Sequence, residues 1–445
     1  MVGTQGFLVY PKSSKNQPVL AILGKSENTP KKARNGIMYL SIFESGQKVA
    51  VEALTIDPAS LYCAFEQVAD GRKKKGKRYP LPLLLTLLLL GKLAGETTVN
   101  GIVDWVKERQ PWLRCQLNWP KRFPTNSTYS EALARCDAQQ IVTVVAQVLL
   151  KARAVEQCGT EPSRLQAHKQ EEALTHVAMD GKTVRGTLGH ENEGQPSVHL
   201  LSLYECQSGI VLTQRAVKSR ENEISAAAAL VHPALVKGRI ISTDAMHTQK
   251  KWCACVHGYK GYYLTIVKKN QPQMYQDLVD FFADPDAEQE EWQYAKSVHK
   301  GHGRLEIREI WTSTQMNAWF EIEWAGVAQV FRLRRYVKDG DKEREEIVYG
   351  VTNLPRKKAN ASRLLALQQA HWRIENRLHY RRDVTLGEDA CQVRITGAPE
   401  ALAALNGGVL ALMDWLHVPN VASQMRHFCA HPVEALQLLC GKLLR

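Results

Sequence analysis

The apolar pattern changes character several times along the chain. Over residues 1–57, short apolar runs alternate with Lys, Gly, Pro and Ser, so that PKSSKNQP and GKSENTPKKARNG read as loops. YLSIFESGQKVAVEALTI reads as a small β-hairpin around Ser45-Gly46. From about 58 to 155 the spacing becomes helical, with Ile102, Val103, Trp105 and Val106 marking the apolar positions of TTVNGIVDWVKERQPWL. In PTNSTYSEALARCD, Ser127 or Thr128 stands as N-cap with Glu131 at capping-box distance. The run LPLLLTLLLL, bounded by Pro82 and Lys92, is shorter than the ~20 residues that span a bilayer, and it predicts a buried helix.

At about residue 170 the period shortens to that of strands. THVAMDG ends in Asp180-Gly181, and VHLLSLYE and GIVLTQRAV follow, separated by the turn-like CQSG. ENEISAAAALVHPAL predicts a helix, GRIISTDAM a strand ending at Asp244, HTQKKWCACVHG a helix and YYLTIVKK one more strand. The order β-β-β-α-β-α-β is that of an α/β, RNase H-like core: a mixed five-stranded sheet with helices on both faces. Residues 272–355, with a hairpin tip at Asp339-Gly340, read as a largely β insertion, and PEALAALNGGVLALMDWL and HPVEALQLLCGKLL as C-terminal helices. The expected organisation is an extension at 1–57, a helical domain at 58–155, a catalytic domain at 170–417 and a helical tail at 418–445.

HWRIENRLHYRRDVTLGED, residues 371–389, predicts an amphipathic helix that sets Trp372, Glu375 and His379 on one face. Arg373, Arg377, Arg381 and Arg382 surround Glu375 with positive charge, which fits either an acid holding a cation beside a polyanion or a surface helix of i,i+4 ion pairs. The upstream aspartates bear on that choice. Carboxyl ends of adjacent parallel strands meet, so Asp180 and Asp244 are expected side by side, 64 residues apart (244 − 180), with Glu375 another 131 on (375 − 244). Three such carboxylates suit two hard divalent cations such as Mg²⁺, which clamp both sides of an in-line displacement at phosphorus. No GxxxxGK[ST] loop, GxSxG elbow or HExxH pair offers other chemistry.

Charge points the same way. Fifty-eight Lys and Arg against 45 Asp and Glu give a net charge of +13, which favours nucleic acid or another polyanion as partner. RKKKGKR, with Lys77 and Arg78, is either part of a DNA-binding module or a solvated charge run. The ten Cys form no CxxC pair and read as reduced thiols of a cytosolic protein. The opening MVGTQGFLVYPKSSK lacks the apolar run of a secretory signal, so the expected location is cytoplasmic, on the nucleoid.

AMDGKTVRG, ENEISA, ISTDAMHTQK, YYLTIVKKNQP, KGHGRLEIRE and HWRIENRLHYRRDVTLGEDA, in this order, resemble the DDE transposases of the ISAs1 family, including the H-repeat-associated proteins. GKRYPLPLLLTLLLLGKLAG and PTNSTYSEAL resemble that family's N-terminal associated domain, and the resemblance spans roughly residues 58–417. It implies an RNase H-like catalytic domain that acts on transposon-end DNA with Mg²⁺ or Mn²⁺. Its acids map onto Asp180 in MDGK, Asp244 in TDAM and Glu375 in RIEN. It also implies a homodimer or larger assembly that holds two ends together. The chain departs from the family in LHYRRDV after the IEN motif, and in His247 and Thr248 where the family has Gly and Cys.

Around these acids, Lys182 and Arg185 are expected to hold phosphates. His247 and Gln249, which follow Asp244, approach the scissile region or merely open a helix. Lys268, Lys269 and Asn270 end a strand at the same edge and are expected to touch DNA, as are Arg304 and His302 in a Gly-rich loop; a zinc site at His299 and His302 would need further ligands. Arg373, of the basic set, is expected to touch DNA, and Arg382, seven residues after Glu375 and so two α-helical turns along the same face, is expected to grip phosphate. Trp372 is expected in the core, and Glu388 and Asp389 in a cap or salt bridge. The resulting reading is a transposase that hydrolyses phosphodiesters at transposon ends and joins the ends to target DNA. Its rivals are a domesticated, catalytically silent DNA-binding relative and an RNase H-like nuclease that cuts without joining.

Overall fold

The computed structural model describes residues 39–41, 48–50, 54–159, 174–189, 197–217, 221–284, 288–301, 303–441 and 443. Residues 1–52 form a unit of their own, in which β1 (Tyr39–Ser41) pairs antiparallel with β2 (Lys48–Ala50); the turn expected at Ser45-Gly46 lies outside the described residues.

The second unit, 53–445, opens with helices. These are α1 (Leu61–Ala64), α2 (Leu81–Leu93), α3 (Val99–Glu108), α4 (Gln110–Gln116), α5 (Asn126–Arg135) and α6 (Ala138–Gly159). A helix that is apolar all round must be buried, and in α2 every residue but Pro82 is, Lys92 included. The N-cap of α5 is Thr125, earlier than the capping-box reading of Ser127 or Thr128. Leu84, Leu88, Val144 and Leu149 share one core with Leu405, Val409 and Leu412 near the chain's end. Among the described residues no helix is long and apolar enough to cross a membrane.

The sheet begins with β3 (Thr175–Val184), β4 (Val198–Glu205) and β5 (Ile210–Ala216), an antiparallel meander. The predicted single helix after it is two, α7 (Glu223–Leu230) and α8 (Pro233–Val236), because Pro233 cannot continue the first. Then β6 (Arg239–Thr243) pairs parallel with β3, α9 (Lys250–Gly258) crosses over, and β7 (Tyr262–Val267) pairs parallel with β6. The side-chain alternation of β6 shows the layering. Ile241 packs with Ala226, Ala227 and Val256 of the crossover helices, while Ile240 faces the opposite layer.

The interval read as an insertion is a continuation of the sheet. After α10 (Pro272–Ala283) come β8 (Gln293–Gly301), β9 (Arg304–Ser313), the short α11 (Asn317–Glu321), β10 (Gln329–Asp339) and β11 (Lys342–Thr352). β11 lies antiparallel against β7, so nine strands run in the order β5-β4-β3-β6-β7-β11-β10-β9-β8, and the expected five-stranded sheet is their first part. Gly350 permits the junction: a Cβ there would stand 2.4 Å from the carbonyl oxygen of Thr265. The β10–β11 tip is Gly340-Asp341, with Gly340 at φ 58° as a two-residue hairpin requires.

The helix carrying Glu375 starts ten residues earlier than its sequence pattern suggests. α12 (Ala361–His371) is capped by the Asn360 side chain and packs Leu364, Leu365 and Leu367 against Ile240, Leu264 and Phe331. It passes into two stretches of wider π winding, Ile374–His379 and Arg381–Thr385, where Tyr380 N donates to Glu375 O and Leu386 N to Arg381 O. The C-terminal helices are α13 (Ala398–Trp415), α14 (Val421–Ala430) and α15 (Pro432–Cys440).

Candidate active site

Parallel pairing of β3 with β6 sets Met179 opposite Thr243, so Asp180 and Asp244 emerge side by side at the next position. The π winding after α12 brings Glu375 to them. Ligand atoms of Asp180, Glu375 and His379 lie within 4.8 Å of one another. His379 Nδ1 is 3.4 Å from Asp180 Oδ2 and 3.6 Å from Glu375 Oε2. Asp180, Asp244 and Glu375 line one cleft of about 360 Å³, with Lys268, Arg308, Arg335, Glu346, His371 and Trp372 around it.

Electrostatics show what this arrangement lacks. Burial, a hydrogen bond with Glu375 and the charges of Glu375 and Asp244 push the Asp180 carboxyl up to about 8. Glu375 is held down at about 2, chiefly by its hydrogen bond with His379 and further by Asp180. Asp180 Oδ2 and Asp244 Oδ1 are buried without a hydrogen-bond partner. A group of carboxylates in which two oxygens are buried without a hydrogen bond fits a hard divalent cation, and Asp180, Asp244 and Glu375 are the groups that would hold it.

A pH dependence follows. The folded, cation-free protein keeps the Asp180 proton up to about pH 8, whereas an unfolded chain releases it near the ordinary value of 3.8. The unfolded state therefore binds fewer protons between these limits, and stability falls as pH rises through that window. In the absence of divalent cations, Asp180→Asn is expected to be more stable than wild type at pH 8, by on the order of 1–3 kcal/mol, and no more stable near pH 4. Urea unfolding midpoints at the two pH values measure this.

Behind the acids, His176 Nε2 lies 2.7 Å from Ser242 Oγ, which in turn lies 2.9 Å from His371 Nδ1. Burial lowers both imidazoles, to about 3 for His176 and about 4 for His371, so this chain of hydrogen bonds is uncharged at neutral pH.

The structure corrects three of the expected DNA contacts. Arg382 is wholly buried, with Nη2 2.7 Å from Glu388 Oε1 and Nη1 3.1 Å from Gln214 Oε1. In i→i+5 winding a turn takes up more residues than 3.6, so seven residues no longer close two turns and Arg382 leaves the Glu375 face. Lys182 is buried too, its Nζ 2.5 Å from Asp383 Oδ1 and 3.3 Å from Asp389 Oδ1, and its charge is matched inside the protein. His247 is buried against Glu223 Oε1 at 2.9 Å.

The remaining positions divide by exposure. Arg185 is open to solvent, its Nε 3.5 Å from Asp389 Oδ2. Lys269 is exposed, but the Asn270 side chain donates to Ala245 O at 2.6 Å and so braces the turn after Asp244. Half-buried Gln249 donates to Met246 O. Arg304 and Arg373 are exposed; Arg304 pairs with Glu306 at 3.7 Å, and Arg373 donates to Cys206 O. In the basic run, Arg72 turns inward to Asp70, leaving Lys77 and Arg78 exposed. His302 lies outside the described residues. Trp372, expected in the core, is 52% exposed at the cleft, with the Arg335 guanidinium 6.0 Å from its ring centre. Glu388 forms the expected salt bridge, to Arg382, and Asp389 pairs with Lys182 and Arg185.

Sequence reasoning does not reach Arg308 and Arg335. They face each other directly on β9 and β10, an unfavourable like-charge pair that Glu306 bridges at 2.8 and 2.5 Å. A run such as REI or LRRY carries no signal of this, since the pairing joins residues 27 apart (335 − 308). His379 is visible on the Glu375 face of the sequence pattern, but its approach to Asp180 is not.

The mixed sheet and its flanking helices are those of an RNase H-like core; Asp180 lies where the parallel pairing of β3 with β6 ends, but β3 itself runs on to Val184 against β4, so Asp180 sits within its strand and not at the expected end. Residues 171–405, just over half the chain, match the family model of the transposase DDE domain, and 62–148 match that of the DDE_Tnp_1-associated domain. The chain thus belongs to the DDE transposase family. It is 24% identical over 351 residues to "Putative transposase YncI" of Escherichia coli O157:H7, covering 78% of this chain and 85% of that one. To "H repeat-associated putative transposase YhhI" of Escherichia coli K12 it is 28% identical over 235 residues, 52% of this chain and 61% of that one. A solved structure titled piggyBac transposase synaptic complex with hairpin DNA aligns over 83% of both chains at 12% identity and a TM-score of 0.36.

Proposed function

We propose that this protein cuts phosphodiesters at the ends of an insertion sequence and joins the freed 3′-hydroxyls to target DNA, using Asp180, Asp244 and Glu375 for both steps. The observation that carries the reading is the placement of these three carboxylates on one cleft, with Asp180 Oδ2 and Asp244 Oδ1 buried and without a hydrogen-bond partner. Two bound Mg²⁺ or Mn²⁺ ions would supply the activation of water or a 3′-hydroxyl and the stabilisation of the leaving oxygen. The chain's own contribution is geometric. Strands β3 and β6 fix the two aspartates, the helix fixes Glu375, and His379, 3.4 Å from Asp180 and 3.6 Å from Glu375, orients both.

The same cleft has a basic wall. Lys268, Arg308 and Arg335 face the acids and are placed to grip the phosphates of a duplex, with exposed Trp372 at the rim. Arg308→Ala and Arg335→Ala are each expected to weaken duplex binding and to reduce the slope of log affinity against log salt by about 1. Fluorescence anisotropy across a salt series, from roughly 50 to 200 mM, in Ca²⁺ or without metal, checks this; unchanged slopes would remove these arginines from the interface. Lys77, Arg78, Arg185, Lys269, Arg304 and Arg373 make up the outlying basic surface.

The joining step separates a transposase from a nuclease. A pre-cleaved duplex bearing the end sequence that flanks the gene is expected to be inserted covalently into plasmid DNA in Mg²⁺ or Mn²⁺. Cleavage of the intact end without any joined product would reduce the function to that of a nuclease. Binding with neither reaction would leave a silent DNA-binding relative. A homodimer or larger assembly is expected on paired ends.

A further inference from the structure

Next to the acids lies a further carboxylate, in the ENEISA stretch, that is not one of the three acids and does not line the cleft. Glu223 opens α7, whose N-cap Asn222 accepts from Ser225 N. Its Oε2 lies 2.6 Å from His199 Nε2, and its Oε1 lies 2.9 Å from His247 Nε2. Burial alone would raise the Glu223 carboxyl, but the two imidazoles outweigh it and bring the group down to about 2.

Each imidazole reaches a different acid-bearing element. On β4, His199 has its Nδ1 2.9 Å from Thr183 Oγ1, three residues along β3 from Asp180. Gly181, the neighbour of Asp180, packs on the same pair: a Cβ there would stand 2.6 Å from both Glu223 Oε1 and His199 Nε2. His247 ends the single turn that begins at Asp244, and its Nε2 is 3.9 Å from Asp244 Oδ1. That turn is tied from its other side by Asn270, which donates to Ala245 O, and by Thr248 Oγ1, which donates to Ile266 O at 2.6 Å. Asp244 itself makes no side-chain cap to its own turn, so its position depends on these neighbours.

We propose that Glu223 is a positioning residue that ties the strand of Asp180 to the turn of Asp244 through His199 and His247. The inference rests on the reading of Asp180, Asp244 and Glu375 as cation-holding acids. It gives a role to His247: the turn after Asp244 is anchored by this buried imidazole on Glu223. Groups that orient metal ligands from behind change metal affinity by roughly 10–100-fold when removed, a scale for what Glu223 contributes.

The test is Mn²⁺ binding by electron paramagnetic resonance, together with end cleavage, in wild type, Glu223→Ala, Glu223→Gln, His247→Gly and Asp244→Asn. Glu223→Ala is expected to bind Mn²⁺ roughly 10–100-fold more weakly and to cleave more slowly at low Mn²⁺, with the rate partly restored by raising the ion. Metal-free duplex binding should be unchanged. Glu223→Gln, which keeps the size and an acceptor, should fall between wild type and Ala, and His247→Gly should resemble it. If Glu223→Ala fails to fold, Glu223→Gln and His247→Gly decide. Wild-type Mn²⁺ affinity in both would overturn the proposal, provided Asp244→Asn has lost binding. Retained binding in Asp244→Asn would instead overturn the reading of the acids on which the proposal depends.

Discussion

Asp244→Asn is expected to leave the protein folded and to lower its DNA cleavage rate by on the order of 10³–10⁵. A bound cation stabilises developing charge at phosphorus by several kcal/mol, and each ~1.36 kcal/mol is a factor of ten in rate. An amide in place of the carboxylate removes a full negative charge and an anionic oxygen from the group that would hold the ion. Folding is expected to be spared for a local reason. Asp244 Oδ1 has no hydrogen-bond partner, and His247 Nε2 stands 3.9 Å from it, so no internal hydrogen bond is broken and a repulsive neighbour of Asp180 is removed. Single-turnover cleavage of a labelled end in Mg²⁺, alongside a thermal melt, measures both halves. An Asn variant that folds and cleaves within tenfold of wild type would remove Asp244 from the site.

Arg382→Ala is expected to cost more stability than any of the other substitutions, about 3–5 kcal/mol, because it leaves the buried carboxylate of Glu388 uncompensated. Glu388 is 3% exposed; besides Arg382 it accepts from Asn406 Nδ2 at 2.8 Å. Burial opposes its ionisation, but Arg382 and Asn406 hold it below the usual carboxylate range, so the charge is present and must be matched. The double change Arg382→Leu, Glu388→Leu removes both charges and is expected to recover much of the loss, since apolar replacements for a buried pair are often neutral or better. Urea unfolding of the two proteins separates this from a surface role. An exposed, DNA-gripping arginine would give a near-wild-type midpoint in the single variant and a changed salt slope in binding.

That pair also marks the boundary of what the sequence conveys. Asp180 and Asp244 are legible because each ends a short apolar run, and parallel strands bring such ends together. Glu375 is legible as an acid among rings and arginines. Its helix is not, since the pattern of residues 371–389 fits 3.6 residues per turn while the backbone winds more widely there. The change of period turns Arg382 from a surface cation into a core one.

Lys182 escapes a local reading for a different reason. Asp383 and Asp389, which neutralise it, stand 201 and 207 residues further along the chain (383 − 182 and 389 − 182), and nothing local announces them. The pairing of β7 with β11 also joins distant segments, with Val267 beside Tyr349, 82 residues on (349 − 267), and it converts an apparent insertion into the outer part of one sheet. With that pairing come Arg308 and Arg335, which bring a basic wall to the cleft. Local period and the polar ends of short apolar runs mark the candidate acids, whereas the groups around them depend on contacts between distant segments.

The central claim is that these carboxylates act by holding divalent cations, and Asp244→Cys tests it most directly. A thiolate is a poor ligand for hard Mg²⁺ and a better one for softer ions such as Mn²⁺. Cleavage of the labelled end should be measured for wild type and Asp244→Cys in Mg²⁺, in Mn²⁺ and with the ions chelated. The expected result is that wild type cuts in either ion and not in chelator, while Asp244→Cys is inactive in Mg²⁺ and regains part of its rate in Mn²⁺. Cleavage by wild type that survives chelation, or Asp244→Cys as active as wild type in Mg²⁺, would contradict the account.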